Sequence, residues 1–181
     1  MNIKRWILLL PAFLFFNAHS AFFIREWLVL GPIHSTAELM FVKPYINEET
    51  LIPSYGEKFG SYPWKKAESD DNNIVDFLKF FGNEATGFNL VAYACSYVYS
   101  DNEAVVRMNL SSDDGVQAWI NGLKVWQNNV YRGVSQETDI INIHLKKGLN
   151  RIILKVNQDN GGWGFRCSIE SDFQLKATVS N

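Results

Sequence analysis

The sequence has few of the residues that most often build catalytic and metal sites. It contains three histidines and two cysteines in 181 residues, and no two histidines stand at the spacing of metal ligands. It also lacks the motifs of serine hydrolases, P-loop proteins and dinucleotide-binding proteins. The sequence therefore predicts a protein that is not an enzyme.

The sequence has no excess of positively charged residues. The formal net charge is −2, whereas proteins that bind nucleic acid or anionic membranes present a basic face. We therefore expect neither nucleic acid nor an anionic membrane as a partner.

Cysteine is scarce, and its two copies leave two alternatives open. An even number in an exported chain permits a disulfide, here between Cys95 and Cys167. Both residues could equally be buried free thiols, since cysteine is among the residues most often buried.

The N-terminus lacks an apolar run long enough to span a bilayer. Lys4 and Arg5 precede an apolar stretch over residues 6–16, and Ala18 and Ser20 are small residues at the positions that signal peptidase reads. The pattern predicts a signal peptide over residues 1–20, cleavage before Ala21, and a periplasmic or extracellular chain without a transmembrane segment. The alternative is a short anchor that is not cleaved.

Residues 21–181 show many short alternating segments separated by turns and little helical pattern. Residues 91–100, 104–110, 141–145, 152–156 and 163–169 alternate as half-buried or two-faced strands. A strand over residues 26–30 ends at Gly31-Pro32, and residues 76–82 suit a short helical turn capped by Gly82. This predicts a single all-β domain, an antiparallel β-sandwich.

The strongest local pattern is a hairpin over residues 116–126. Asn121-Gly122 between two apolar runs predicts a type I′ turn, which needs positive φ at both central residues. The turn sets a register that pairs Ile120 with Leu123, Trp119 with Lys124, Ala118 with Val125, and Gln117 with Trp126. One face, containing Leu123 and Val125, then belongs to the core, and Trp119 and Trp126 share the other face at contact distance.

Several segments together resemble a known family: residues 27–32, Trp64, and residues 75–82, 92–94, 112–115, 119–122, 147–150 and 162–165. They are similar to the galactose-binding-like and PA14-like jelly-roll modules of secreted bacterial glycoside hydrolases and envelope proteins. The resemblance covers nearly all of residues 21–181, and its most specific part runs from Ser112 to Gly122. It implies a non-catalytic sandwich that is often associated with carbohydrate. The catalytic domain that such modules usually accompany is not in this sequence, so we expect a free-standing role or one that depends on another protein.

The aromatic-polar face of the hairpin is the candidate ligand surface. Tryptophan rings contact the apolar faces of sugars, and neighbouring polar groups bind the hydroxyls. The candidate ligand-binding residues are Trp119, Trp126, Gln117, Lys124, Arg132 and Trp163. The alternative is that the long irregular segment over residues 31–70 covers this face and forms a second small core.

Asp113 and Asp114 are the candidate metal ligands. Carboxylate oxygens suit Ca²⁺, and the resemblance implies calcium at this position, because sugar-binding PA14 adhesins hold it with an aspartate pair in the corresponding loop. Asp-Asp-Gly is also ordinary turn chemistry, in which the side chains bind local backbone N–H groups.

Two functions are therefore left open. The first is a secreted carbohydrate-binding-like module, with calcium as its possible cofactor. The second is a structural or protein-interaction domain of the cell envelope that has no sugar site. The two differ in whether the tryptophans are exposed around a polar surface.

Overall fold

The computed structural model describes residues 20–135 and 139–180. The predicted signal peptide lies outside the described residues except for Ser20, which begins the first strand. The strands are β1 (Ser20–Phe23), β2 (Glu26–His34), β3 (Lys58–Phe59), β4 (Tyr62–Pro63), β5 (Lys65–Glu68), β6 (Val75–Asp76), β7 (Leu90–Ser100), β8 (Ala104–Asp113), β9 (Val116–Ile120), β10 (Leu123–Asn128), β11 (Asp139–Leu145), β12 (Gly148–Gln158), β13 (Gly164–Ser171) and β14 (Leu175–Thr178). One helix, α1 (Phe77–Phe81), follows β6 and leads into a 3-10 turn over Gly82–Glu84.

Two antiparallel sheets form the sandwich. The front sheet has the order β1-β13-β8-β11, with β6 also paired to β13. The back sheet has the order β10-β9-β12-β7-β2-β5, with β14 paired to β7. The predicted all-β antiparallel β-sandwich is confirmed.

The main core lies between the sheets, and β7 shows how the sequence alternation builds it. Ala92 and Ala94 face the front sheet and join the main core, whereas Tyr93 and Cys95 point to the opposite side of the back sheet. Successive side chains of a strand point to opposite faces, so the alternating strand predicted over residues 91–100 is confirmed.

The outer face of the back sheet is covered by residues 35–64, here called the covering segment. Met40, Ile46 and Trp64 of this segment pack with Trp119 and Tyr93 of the back sheet in a second core. The alternative that the long irregular segment forms a second core is therefore the correct one.

Side chains of β12 fasten the covering segment to the sheet. The buried Lys155 donates from Nζ to the carbonyl oxygens of Phe41, at 2.6 Å, and Lys43, at 2.8 Å. Arg151 donates from Nη2 to the carbonyl of Glu49 at 2.6 Å. Carbonyl groups of an irregular segment need partners once they are buried, and here these long cationic side chains supply them.

The predicted helical turn is present, but the first predicted strand is longer than expected. The helical turn is confirmed: Asp76 Oδ1 accepts from the backbone N–H of Lys79 at 3.0 Å, and Gly82 ends the helix with φ of 55°. The first predicted strand is too short, because β2 continues beyond Gly31-Pro32 to His34 through a register shift between Leu30 and Ile33. Among the described residues, no helix is long and apolar enough to cross a membrane.

The two cysteines are buried free thiols, so the disulfide alternative is wrong. Cys95 lies in the second core and Cys167 in the main core, on opposite sides of the back sheet. Burial raises the pKa of both thiols to about 12, which keeps them protonated and unreactive at neutral pH.

Candidate functional site

Three connections meet at the end of the sandwich where β8, β10 and β12 finish. They are the turn over residues 113–115, the segment 129–135 and the loop 159–163, here together called the loop end. The candidate metal ligands Asp113 and Asp114 belong to the first connection, and their side chains face the other two. The loop end is therefore built around two adjacent carboxylates.

Asp114 joins two of the connections. Its Oδ1 accepts from the backbone N–H of Arg132 at 3.1 Å, and its Oδ2 accepts from the backbone N–H of Asp159 at 2.9 Å. Burial raises the pKa of Asp114, and the hydrogen bonds from Asp159 and Arg132 oppose that rise. Both oxygens are thus engaged in holding the loops, which is the turn-stabilising role considered for this pair.

Asp113 is in a different situation. Its half-buried side chain accepts no hydrogen bond from any residue that the structure describes. Its Oδ2 lies so close to Gly162 that a Cβ atom on Gly162 would collide with this oxygen. Gly133 is also close, and a Cβ atom on Gly133 would lie 3.7 Å from the same oxygen. Burial, followed by the charges of Asp114 and Asp76, raises the pKa of Asp113 to about 6. The carboxylate lines a surface pocket of about 290 Å³ together with Gly133, Gly162 and Asp76.

Arg132 supports this end from the side. Its Nη2 forms an ion pair with Asp139 Oδ2 at 2.7 Å, and its Nε donates to the carbonyl of Ser112 at 3.2 Å. Burial alone would raise the pKa of Asp139, but hydrogen bonds from Arg132 and Asn128 lower it below its ordinary value. The Arg132 guanidinium is thus bound to other protein groups, although its backbone takes part in the loop end.

The predicted pair of tryptophans does not form, because the hairpin contains a β-bulge. The Asn121-Gly122 turn is as predicted, with φ of 52° and 88°. Lys124 pairs with Trp119, but Trp126 then pairs with Ala118. Val125 is the extra residue, and an extra residue moves all later side chains of the strand to the other face.

The bulge places the two indoles on opposite sides of the back sheet. Trp119 is 4% exposed in the second core, whereas Trp126 is half-buried against the main core. Leu123, predicted to face the core, is 71% exposed at the tip of the hairpin. The Lys124 ammonium lies 5.0 Å from the centre of the Trp119 ring, so the exposed aromatic platform expected here is replaced by a covered face.

Two further candidate residues are also built into the protein interior. Gln117 is buried, and its amide, in the orientation that satisfies both of its ends, donates to the Phe41 carbonyl at 3.1 Å and accepts from Lys124 Nζ at 3.2 Å. Trp163 packs on Phe77, with the ring centres 5.0 Å apart. Gln117 thus binds the covering segment, and Trp163 anchors the loop 159–163 to the main core.

The loop end also carries aromatic residues that the sequence interpretation missed. Tyr131 is 66% exposed, and its hydroxyl hydrogen-bonds to Asn160 Oδ1 at 2.7 Å. Phe88 is 67% exposed and precedes Asn89, whose backbone N–H donates to the Asp159 carbonyl at 3.4 Å. The Tyr131 hydroxyl therefore contacts the loop 159–163, and Phe88 lies next to a residue whose backbone hydrogen-bonds to this loop. Tyr131 lies near Gly133, and Phe88 follows Gly87. An aromatic residue close to a glycine in a turn-rich stretch was the sequence pattern that could have identified them.

The acidic side chains of the loop end supply only part of a calcium ligand set. Ca²⁺ takes about six to eight oxygen ligands, and each Asp114 oxygen already accepts a backbone N–H group. Within residues 20–135 and 139–180, no group of three acidic, histidine or cysteine side chains is placed to hold a metal. Asp113 is the one member of the pair with free oxygens, and calcium at this pair stays a prediction from the sequence.

Comparisons with known proteins agree on the fold. No protein-family model and no curated protein sequence matches the chain. The structure is similar to part of a β-glucosidase from Kluyveromyces marxianus, with a TM-score of 0.52 and 10% identity over 82% of this chain. The chain spans only 16% of the length of that enzyme, and at this identity the match shows a shared sandwich fold.

Single domains taken from larger proteins are found among the similar structures as well. The PA14 domain of an antifreeze protein has a TM-score of 0.47 and 14% identity, over 84% of each chain. The PA14 sugar-binding domain from an RTX adhesin has a TM-score of 0.46 and 13% identity, over 84% of this chain and 94% of its own.

Proposed function

We propose that this protein is a non-catalytic carbohydrate-binding module that binds a saccharide at the loop end. The observation that carries the proposal is the Asp113 carboxylate, which faces a pocket and accepts no hydrogen bond from the described residues. A secreted location is part of the same proposal and rests on the pattern of the N-terminal sequence.

The chemistry of the loop end suits a sugar. A carboxylate accepts hydrogen bonds at both oxygens, and two neighbouring hydroxyls of a pyranose present donors side by side. Gly133 and Gly162 have no side chain that could cover Asp113, and a Cβ at Gly162 would collide with its Oδ2. The carboxylate is therefore left on the wall of the pocket. Tyr131 adds an exposed aromatic ring to the loop end, and Phe88 is exposed on the neighbouring chain segment. Such rings bury the C–H faces of sugars.

An interaction domain without a sugar site remains the second candidate. Ile52, Leu123 and Leu149 are exposed apolar side chains at the opposite end of the sandwich. Exposed apolar patches often mark contacts with other proteins. In that case the loop end would be ordinary surface.

Glycan-array binding separates the two candidates. We expect the full chain to bind a subset of glycans, and Asp113→Asn to weaken the strongest interaction at least about tenfold, because a hydrogen bond to a charged group is lost. Tyr131→Ala should weaken it as well. Matched controls are Asp101→Asn and Tyr55→Ala, which change exposed residues away from the loop end.

Two results would overturn the proposal. One is an array on which the wild-type protein binds nothing. The other is binding that Asp113→Asn and Asp101→Asn affect equally.

A further inference from the structure

The outer face of the front sheet carries a row of polar side chains that the loop end does not use. Arg107 of β8 stands opposite Glu170 of β13 on one side and Asn142 of β11 on the other. Arg107 and Asn142 are exposed. The row therefore crosses three strands on a face that is open to solvent, unlike the outer face of the back sheet.

Hydrogen bonds hold this row in place. Arg107 Nη1 donates to Glu170 Oε2 at 3.2 Å, and Asn109 Nδ2 donates to Glu170 Oε1 at 2.9 Å. The Glu170 carboxylate is thus fixed at both oxygens, while the remaining Arg107 N–H groups and the Asn142 amide point to no partner within the described residues. Exposed ion pairs contribute about 0–1 kcal/mol to stability, so stability alone is a weak reason for this arrangement.

The row forms the floor of a groove of about 540 Å³. Val105 and Phe173 supply apolar surface to it, and Asp172 stands at its rim. The groove is distinct from the loop end: Arg107 and Asp113 are six residues apart on β8, which is roughly 20 Å at the rise of a strand.

We propose that this groove is a second saccharide-binding site, for a neutral pyranose unit. Guanidinium, amide and carboxylate groups on neighbouring strands of one face offer donors and acceptors side by side, which match neighbouring sugar hydroxyls. Val105 and Phe173 match the apolar C–H faces of the ring. The carboxylates of Glu170 and Asp172 disfavour an anionic sugar, because like charges repel. The choice of a saccharide as the ligand rests on the proposed function, whereas the location of the site does not.

The test is a titration of the ¹⁵N-labelled full chain with cellohexaose, laminarihexaose, xylohexaose and mannohexaose, followed by NMR. We expect one of these oligosaccharides to shift signals of the Arg107 Nε–H and of the Asn109 and Asn142 side-chain amides. Arg107→Ala and Asn142→Ala should each lower the apparent affinity at least about tenfold, measured on the groove signals that remain in each variant, such as the Asn109 amide. Asn83→Ala, at an exposed asparagine outside the groove, should leave them unchanged.

The outcomes distinguish this inference from the proposed function. Shifts confined to the loop end, abolished by Asp113→Asn and unaffected by Arg107→Ala, would overturn the second site and leave the proposed function standing. Shifts at neither place, with an array on which nothing binds, would overturn both. Shifts in the groove that appear on raising the protein concentration without sugar would show a self-association surface and overturn the second site.

Discussion

Lys155 and Tyr93 lie opposite each other on neighbouring strands of the back sheet, and both side chains hydrogen-bond to the backbone of the covering segment. Arg151 and Tyr97 form the next such pair along the same strands. Arg151 binds the Glu49 carbonyl, and the Tyr97 hydroxyl donates to the carbonyl of Pro53 at 2.8 Å. The covering segment, which has little regular structure, thus obtains hydrogen-bond partners from these four side chains and from Gln117 of the sheet.

Removal of the Tyr93 hydroxyl should loosen this attachment. The hydroxyl donates to the buried Glu48 Oε1 at 2.7 Å and accepts from the Tyr45 N–H at 3.1 Å. Tyr93→Phe leaves both partners unsatisfied, so we expect a loss of about 1–3 kcal/mol in the free energy of unfolding, measured in urea. Tyr99→Phe, at an exposed tyrosine of the same strand, is the control. Equal stability of the two variants would show that these hydrogen bonds do not hold the segment.

The sequence was sufficient to predict the sandwich, because its strands alternate and its turns carry the residues that turns require. The turn at Asn121-Gly122 and the helical turn ended by Gly82 are local events, and they were predicted correctly. The role of Lys155 was not predictable in the same way. A lysine at an alternate position of a strand indicates an exposed face, and only the tertiary structure shows the covering segment above it.

The candidate site was predicted less well, because a single β-bulge determines on which face of the sheet Trp126 lies. A shift of one residue after Lys124 exchanges the two faces of β10, and no residue type in the sequence announces that shift. Asp113 and Asp114 were singled out from the sequence as a pair. The difference between them arises because Asp114 alone accepts the backbone N–H groups of Arg132 and Asp159. Those groups are brought near by the fold and not by the sequence order.

The glycine of the hairpin turn should be irreplaceable for two separable reasons. Gly122 has φ of 88°, and a Cβ there would collide with the Glu49 carbonyl of the covering segment. Gly148 has φ of 94° with open space around it. Gly148→Ala should therefore cost roughly 1–2 kcal/mol from backbone conformation alone, and Gly122→Ala or Gly122→Val should cost more. Thermal melting that ranks Gly148→Ala as the more damaging change would contradict this placement of the covering segment.

Truncation of the two hairpin tryptophans should have unequal effects. Trp119 is enclosed by the covering segment, so Trp119→Ala should cost about 3–5 kcal/mol in the free energy of unfolding. Trp126 is half-buried, and Trp126→Ala should cost clearly less. Urea denaturation of both variants measures the difference. A smaller loss for Trp119→Ala would mean that the indole is exposed in solution, as the sequence-based platform requires.

The charge of Asp113 should reduce stability at neutral pH. Its pKa is about 6 in the folded protein against 3.8 for the ordinary group. Between these two values the folded state binds more protons than the unfolded state, so the contribution of Asp113 to stability falls as the pH rises through this window. Asp113→Asn should therefore stabilise the protein at pH 7, by roughly 1 kcal/mol after allowance for solvent screening.

The same variant should match the wild type in stability at about pH 2.5, well below both pKa values, where the carboxyl group is protonated in both states. Melting curves across this range measure the effect, and Asp101→Asn should show none of it. A stabilisation that is the same at every pH would rule out the charge of Asp113 as its cause.

Calcium provides the sharpest contrast between the sequence and the geometry of the loop end. The sequence predicts Asp113 and Asp114 as ligands, whereas Asp114 already holds the N–H groups of Arg132 and Asp159. We expect millimolar calcium chloride, compared with EGTA, to leave the melting temperature unchanged, because a ligand stabilises a protein only by binding its folded state. A rise that Asp113→Asn abolishes would contradict this expectation and would show that Asp114 exchanges its backbone partners for the cation. Saccharide binding measured in EGTA completes the test: binding that survives chelation places the hydroxyl contacts on Asp113 itself, and binding that is lost assigns them to a metal.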